Sequence, residues 1–183
     1  MIRTLYKAVF VVALWLQFPA IAGAENYKLP EYEAKALFLF NFTRFVQWPP
    51  DAFSSPEATI NICIAGDDPF DSSLDFVKTR LVNNRGVKIK LLEWPADTRN
   101  CHVLFVSSSE ETRMLKILST VLRQPLLTVS DINRFALKGG VIEMYVHDNR
   151  VRFRINTSAA MKHRLNIGSH LLELSEIITG EAQ

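Results

Sequence analysis

The chain has 183 residues, 48% of them hydrophobic, with 21 Lys+Arg against 19 Asp+Glu, four histidines and two cysteines. That length and apolar share suit one folded domain with a sizeable core, and no repeat, low-complexity tract or long linker divides it. Arg3 and Lys7 lie at the extreme N terminus. Without them the balance is 19 against 19, so the basic sequence pI of 8.6 gives no support to nucleic-acid binding.

Those two cations precede an apolar run from Ala8 to Phe18, and Ala22-Gly23-Ala24 puts small residues where a signal peptidase reads. The run is shorter than the roughly 20 residues that a membrane span needs, and Pro19 interrupts it. We expect residues 1–24 to be a cleaved secretory signal, which places the protein in the periplasm; an uncleaved anchor is the alternative. No cysteine follows the cleavage point before Cys63, which excludes a lipoprotein signal. Removing the first 24 residues leaves 159, residues 25–183, beginning at Glu25.

Pro30 opens a predicted helix that runs to about Gln47, where Trp48-Pro49-Pro50 stops it. At 100° per residue its core arc holds Ala34, Leu37, Phe38, Phe42, Phe45 and Val46, and the opposite arc holds Glu33, Ala36, Thr43, Arg44 and Gln47. Thr59–Ala65 alternates as a strand, with Ile60, Ile62 and Ile64 on one face and Asn61, Cys63 and Ala65 on the other. Asp68 caps a helix to about Thr79, with Pro69 at its first position. Val87–Leu92 and His102–Val106 read as strands. Ser109–Arg123 reads as a helix with capping boxes at Ser107–Glu110 and Ser108–Glu111, and Leu126–Val129 as a further strand.

Val141–Asn156 forms a hairpin about an Asp148-Asn149 turn. Counting outward pairs Val146 with Val151, Met144 with Phe153 and Ile142 with Ile155 on the apolar face. On the other face His147 meets Arg150, Tyr145 meets Arg152 and Glu143 meets Arg154. Helices over about Thr157–Arg164 and Ser169–Thr179 close the chain. The expected fold is a single α/β domain: a mixed sheet with helices on both faces, a C-terminal antiparallel hairpin and two final helices.

The search for chemistry is mostly empty. Phosphate-loop, dinucleotide, nucleophile-elbow and zinc-protease motifs are all missing from the sequence. His102, His147, His163 and His170 fall on separate elements without ligand spacing, so no metal site, cofactor or catalytic residue is assigned. Asp67-Asp68 and Ser107-Ser108-Ser109 follow strands, where α/β folds place ligands, but both read better as helix caps. The row Arg150, Arg152, Arg154 reads as a solvated sheet face more readily than as a contact for an acidic partner. Phe40 falls inside the polar arc of the first helix; either the chain's own loops cover it, or it anchors a partner. Cys63 and Cys101 are expected to form a disulfide in an exported domain, with two buried free thiols as the alternative.

Tyr32-x-x-Lys35-Ala36 leading into Phe38-Leu39-Phe40-Asn41-Phe42-Thr43-Arg44-Phe45-Val46-Gln47-Trp48-Pro49 resembles the opening motif of the YfiR-like family. Cys63-x-x-Gly66-Asp67-Asp68-Pro69-Phe70, Leu127-Thr128-Val129-Ser130-Asp131, Gly139-Gly140 and Val151-Arg152-Phe153-Arg154-Ile155-Asn156 match further along. Ala159-Ala160 and Ser169-x-Leu171-Leu172 complete the series.

The resemblance implies a periplasmic α/β protein without catalytic activity. In this family the best-understood members hold an inner-membrane diguanylate cyclase inactive through its periplasmic portion, and an outer-membrane lipoprotein sequesters them. Cys63 and Cys101 match one family cysteine pair. A second pair, carried by some members, aligns with Ala136 and Glu143, so that bridge is absent here and redox control through it does not carry over. The partners to weigh are the cyclase, the lipoprotein and a second copy of the chain, with no nucleic acid. Two other functions stay open: a small-molecule-binding module with its ligand near Gly66 and Ser107 and, more weakly supported, a hydrolase.

Overall fold

The computed structural model describes residues 30–93, 95 and 97–179, so the signal-peptide reading lies outside the described residues. Helix α1 spans Glu31–Phe45 and the two-residue strand β1 follows at Val46–Gln47. The helix therefore ends earlier than its apolar run suggests. The approach to Trp48-Pro49 favours extended backbone, and the extended pair finds a partner in β9, Asn166–Ile167.

Strand β2, Ile60–Ala65, is buried on both faces. The next helix is a 3-10 turn series over Asp71–Thr79, starting after Pro69; Asp68 does not cap it but accepts a hydrogen bond from the Phe70 N–H at 2.8 Å. A hairpin that sequence reading missed follows: β3, Leu81–Val82, turns through Asn83 and Asn84, both with positive φ, into β4, Arg85–Leu92. Two successive left-handed residues are what a type I′ turn requires, and asparagine tolerates them.

Strand β5 is Val103–Val106. The single helix expected over Ser109–Arg123 is a 3-10 segment, Ser108–Arg113, leading into α2, Met114–Val121. Neither capping box forms as read: Ser107 makes no side-chain cap bond, and the Glu110 carboxylate pairs with Arg113 at 2.6 Å instead. The helix stops early because Leu122 is extended and Arg123 left-handed, ahead of Pro125.

Strand β6 is Leu127–Ser130, and β7, Ile142–His147, pairs with β8, Arg150–Asn156, in the register that the turn implied, all six cross-strand pairs included. Asn156 caps α3, Thr157–Lys162, by accepting from the Ala159 N–H at 2.8 Å. The last predicted helix is only α4, Ser169–Glu173. Its expected second half is β10, Glu176–Ile178, parallel to β8. The β-branched Ile177-Ile178 there extends a sheet edge that would otherwise lie open.

The large sheet runs β10-β8-β7-β6-β5-β2-β4-β3, with β4, β2, β5, β6 and β7 mutually parallel. On one face, α1 and the 71–79 segment pack over Ile60, Ile62, Ile64, Val103 and Phe105. On the other, α2 packs over Cys63, Ala65, Leu104 and Val106. The mixed sheet covered on both faces is the expected fold.

The face that α1 buries differs from the helical-wheel reading. Lys35, Ala36, Leu39, Phe42 and Thr43 are buried, while Leu37, placed in the core arc, is 40% exposed. The helix packs against the 71–79 segment as well as against the sheet, and the small Ala36 and Thr43 are fully buried. An apolar run on nearly every side carries little periodic signal of where the core lies.

Candidate functional site

The parallel strands deliver three loops to one end of the sheet, at their C termini: Gly66–Asp68 after β2, Ser107–Glu110 after β5, and Asp131 after β6. Strand β2 lies between β4 and β5, so chain order reverses there, and the crevice between β2 and β5 is the topological switch point of this sheet. In this chain the crevice is filled from within. Ser109 Oγ accepts from the Asp67 N–H at 2.9 Å, and the Glu110 side chain lies under Gly66. Gly66 has φ +90°, and a Cβ there would fall against Ser109 Oγ and 2.7 Å from Glu110 Cγ. Both the turn and the packing therefore require glycine. The place proposed for a small ligand is thus occupied by the protein's own side chains.

The next loop carries a buried ionic cluster that links the chain's first helix to the middle of the sheet. Lys35 Nζ donates to Asp131 Oδ2 at 2.6 Å and pairs with Glu31 at 2.5 Å, and the Tyr32 hydroxyl donates to the same Asp131 oxygen at 3.0 Å. Burial works against the Lys35 charge, but the hydrogen bonds to Asp131 and Glu31 outweigh it and hold the ammonium pKa above its ordinary value. Burial and the Asp131 carboxylate push the Tyr32 phenol up as well. A lysine inside so apolar a helical run was the available signal for this cluster.

Beside it a polar hollow of about 460 Å³ is lined by Glu31, Lys35, Asp131, Glu143, Tyr145 and Arg154. Glu143 is 1% exposed, and its carboxylate accepts from the Arg134 and Ala136 N–H groups, each at 3.1 Å. Its other neighbour is Arg154, 3.0 Å away, which also reaches Glu176 at 3.1 Å and lies over the Tyr145 ring. Of the arginine row, Arg154 is thus tied into the fold, whereas Arg150 and Arg152 are exposed. Ala136 and Glu143 are thus joined by a carboxylate–amide hydrogen bond.

The other motif segments are spent in the same way. Thr128 Oγ accepts from the Val141 N–H at 2.9 Å, and Ser130 Oγ donates to the Val106 carbonyl at 2.6 Å. Gly140 packs against the Phe135 ring with no room for a side chain. Cys63 and Cys101 form a disulfide that ties β2 to the entry of β5. Phe40 is partly buried on the flank of α1, its ring 5.7 Å from Phe76 and nearly perpendicular to it.

Below the sheet, at the opposite end of the strands, His102 accepts from the Asn61 N–H through Nδ1 and donates through Nε2 to the Ala52 carbonyl, both at 3.1 Å. Its ring stacks on Phe53 at 4.4 Å, and the Trp48 indole N–H donates to its carbonyl at 3.1 Å. Both imidazole nitrogens are committed to backbone groups, which leaves the ring no proton to exchange with a substrate.

Among the described residues no group of three His, Cys, Asp or Glu side chains gathers to hold a metal ion, and no helix is long and apolar enough to cross a membrane. No curated protein matches the chain. A family model does: the one described as YfiR/HmsC-like matches residues 32–176, from Tyr32 of the ionic cluster to Glu176 beside Arg154. That span covers most of the sequence and every motif segment described above, and the chain belongs to the YfiR/HmsC-like family.

Proposed function

We propose that this protein is a periplasmic, non-catalytic regulator that represses an inner-membrane diguanylate cyclase, and so controls cyclic-di-GMP signalling and biofilm formation. Family membership over residues 32–176 carries the reading. The placement of the motif residues supports it. Lys35, Asp131, Thr128 and Ser130 are all engaged in bonds within the chain, so the shared residues maintain a shape instead of performing a reaction. A protein of that kind acts by occupying a partner's surface. The partner is the periplasmic portion of the cyclase, and an outer-membrane lipoprotein is the expected antagonist.

Deleting the gene should raise cellular cyclic-di-GMP and adhesion, and an exported copy should restore both. A copy lacking residues 2–24 should fail to do so because it never reaches the periplasm. Unchanged cyclic-di-GMP in the deletion strain, with the candidate cyclase expressed, would reject the repressor reading.

A further inference from the structure

One edge of the large sheet is open. Strand β4 pairs with β2 along Val87–Leu92, but its other neighbour, β3, reaches only Arg85 and Gly86. The outer backbone groups of residues 87–92 make no further hydrogen bond among the described residues. Six residues of unpaired strand are about 20 Å of template, the length of an ordinary strand.

The charge along this edge has one sign. Residues 76–92, between Asp75 and Glu93, hold Lys78, Arg80, Arg85, Lys88 and Lys90 and no acidic residue, in a chain with 21 Lys+Arg against 19 Asp+Glu overall. Lys78 is taken up by Asp75, and Arg85 by the Ser55 and Ala58 carbonyls and the Phe53 ring. Lys88 and Lys90 make no ion pair among the described residues; the nearby Asp97 is paired with Arg99 at 2.7 Å. The two lysines share a face of the strand with Asn61 and Cys63 of β2, their register partners. There they border a hollow of about 430 Å³ whose walls include Thr59, Asn61, Asn100 and His102, with Glu57 as its one acid.

Lysines on an edge strand also serve to prevent self-pairing. A second copy pairing antiparallel would set Lys88 and Lys90 against each other, which argues against a homodimer through this edge. The residues between the lysines are not those of a strand meant only for water. Val87 and Ile89 alternate with them and pack into the chain's own core, whereas Leu91, next along the same face, is 64% exposed. An added strand with carboxylates at alternate positions and apolar residues between them would meet lysines on one face and leucine on the other.

We propose that the open edge of β4 docks an extended acidic segment of a partner protein, which adds to the sheet as a further strand and sets a carboxylate in the hollow beside Lys88 and Lys90. This deepens the regulatory reading by naming a docking surface, and rests on that reading only for the partner's identity. The test uses the purified protein and labelled peptides of about ten residues, alternating Glu with Val or Lys with Val, read by fluorescence anisotropy and backbone hydrogen exchange.

The Glu/Val peptide should bind at least roughly tenfold tighter than the Lys/Val peptide and slow exchange within residues 87–92. K88E/K90E should abolish that preference, and K88Q/K90Q should weaken it to an intermediate degree while circular dichroism stays unchanged. Absence of binding at millimolar peptide, equal binding in K88E/K90E, or protection confined to other strands would overturn the proposal. So would vesicles of anionic phosphatidylglycerol protecting residues 87–92 when the peptides do not, since the edge would then be a membrane contact. None of these outcomes bears on cyclic-di-GMP in the deletion strain, so the docking site and the repressor role can fail separately.

Discussion

Lys35 is 3% exposed in the middle of an apolar helix, and it is tolerated because Asp131 and Glu31 supply the acceptors that water would have provided. Tyr32, Lys35 and Asp131 stand in two separate motif segments, and only the fold shows that they are one cluster. Periodicity could not reveal this, because a charged side chain inside a core breaks the pattern on which periodicity depends. Phe40 poses the complementary problem. Its wheel position sets it among polar neighbours, yet its ring packs on Phe76, which lies in a segment too far along the chain for a helical wheel to include. If that contact supports the fold, Phe40→Ala should lower folding stability by about 3 kcal/mol, near the low end for a buried aromatic, with association unchanged. Thermal melts beside an association assay decide it. A mutant of unchanged melting temperature and association weakened by roughly 1–3 kcal/mol would make Phe40 a partner anchor instead.

At the scale of elements, legibility followed how local the determining interactions are. The β7–β8 hairpin was readable to the residue because a two-residue turn sets the register of everything beyond it. Helix starts were misplaced where a capping side chain had a better use: Asp68 closes a tight turn onto Phe70, and Glu110 is drawn beneath Gly66. The strand at Glu176–Ile178 was read as helix because its reason for being extended is the free edge of β8, which is distant in sequence.

The disulfide lies between these cases, since pairing two cysteines needs no geometry but its consequence does. It links β2 to the approach to β5 across 38 residues, and closing a loop of that length restricts the unfolded chain by about 4 kcal/mol in the chain-entropy treatment. Cys101→Ser should therefore lower stability by a few kcal/mol, read from urea unfolding under oxidising conditions, and the loss should match that of the reduced wild type. Equal stability of mutant and oxidised wild type would show that the bond contributes nothing to the fold.

For the molecule as a whole, the two buried histidines tie opposite parts of the structure to pH. His102 joins the Trp48–Ala52 segment to β2, and His163, beyond α3, holds the Gln124 carbonyl through Nδ1 at 2.8 Å. Burial pushes both imidazoles below their ordinary value of 6.5; for His102 the neighbouring Arg85 and Lys90 charges act in the same direction, against the opposing bond to Ala52. Protonating His102 would also turn Nδ1 from an acceptor into a donor facing the Asn61 N–H, so the neutral form is required twice over. The sign follows from linkage. Below pH 6.5 the unfolded chain binds protons that the folded chain refuses, so these two groups make stability fall as pH drops through that value, while above it their contribution is constant. The slope is at most about 1.4 kcal/mol per pH unit for each histidine. Urea unfolding between pH 7.5 and 5.5 should show the loss in the wild type, a smaller loss in His102→Gln and in His163→Gln, and the smallest in the double mutant. A glutamine at position 102 can still accept from Asn61 and donate to Ala52 without gaining a charge. An identical pH dependence in the wild type and the double mutant would remove both histidines from the account.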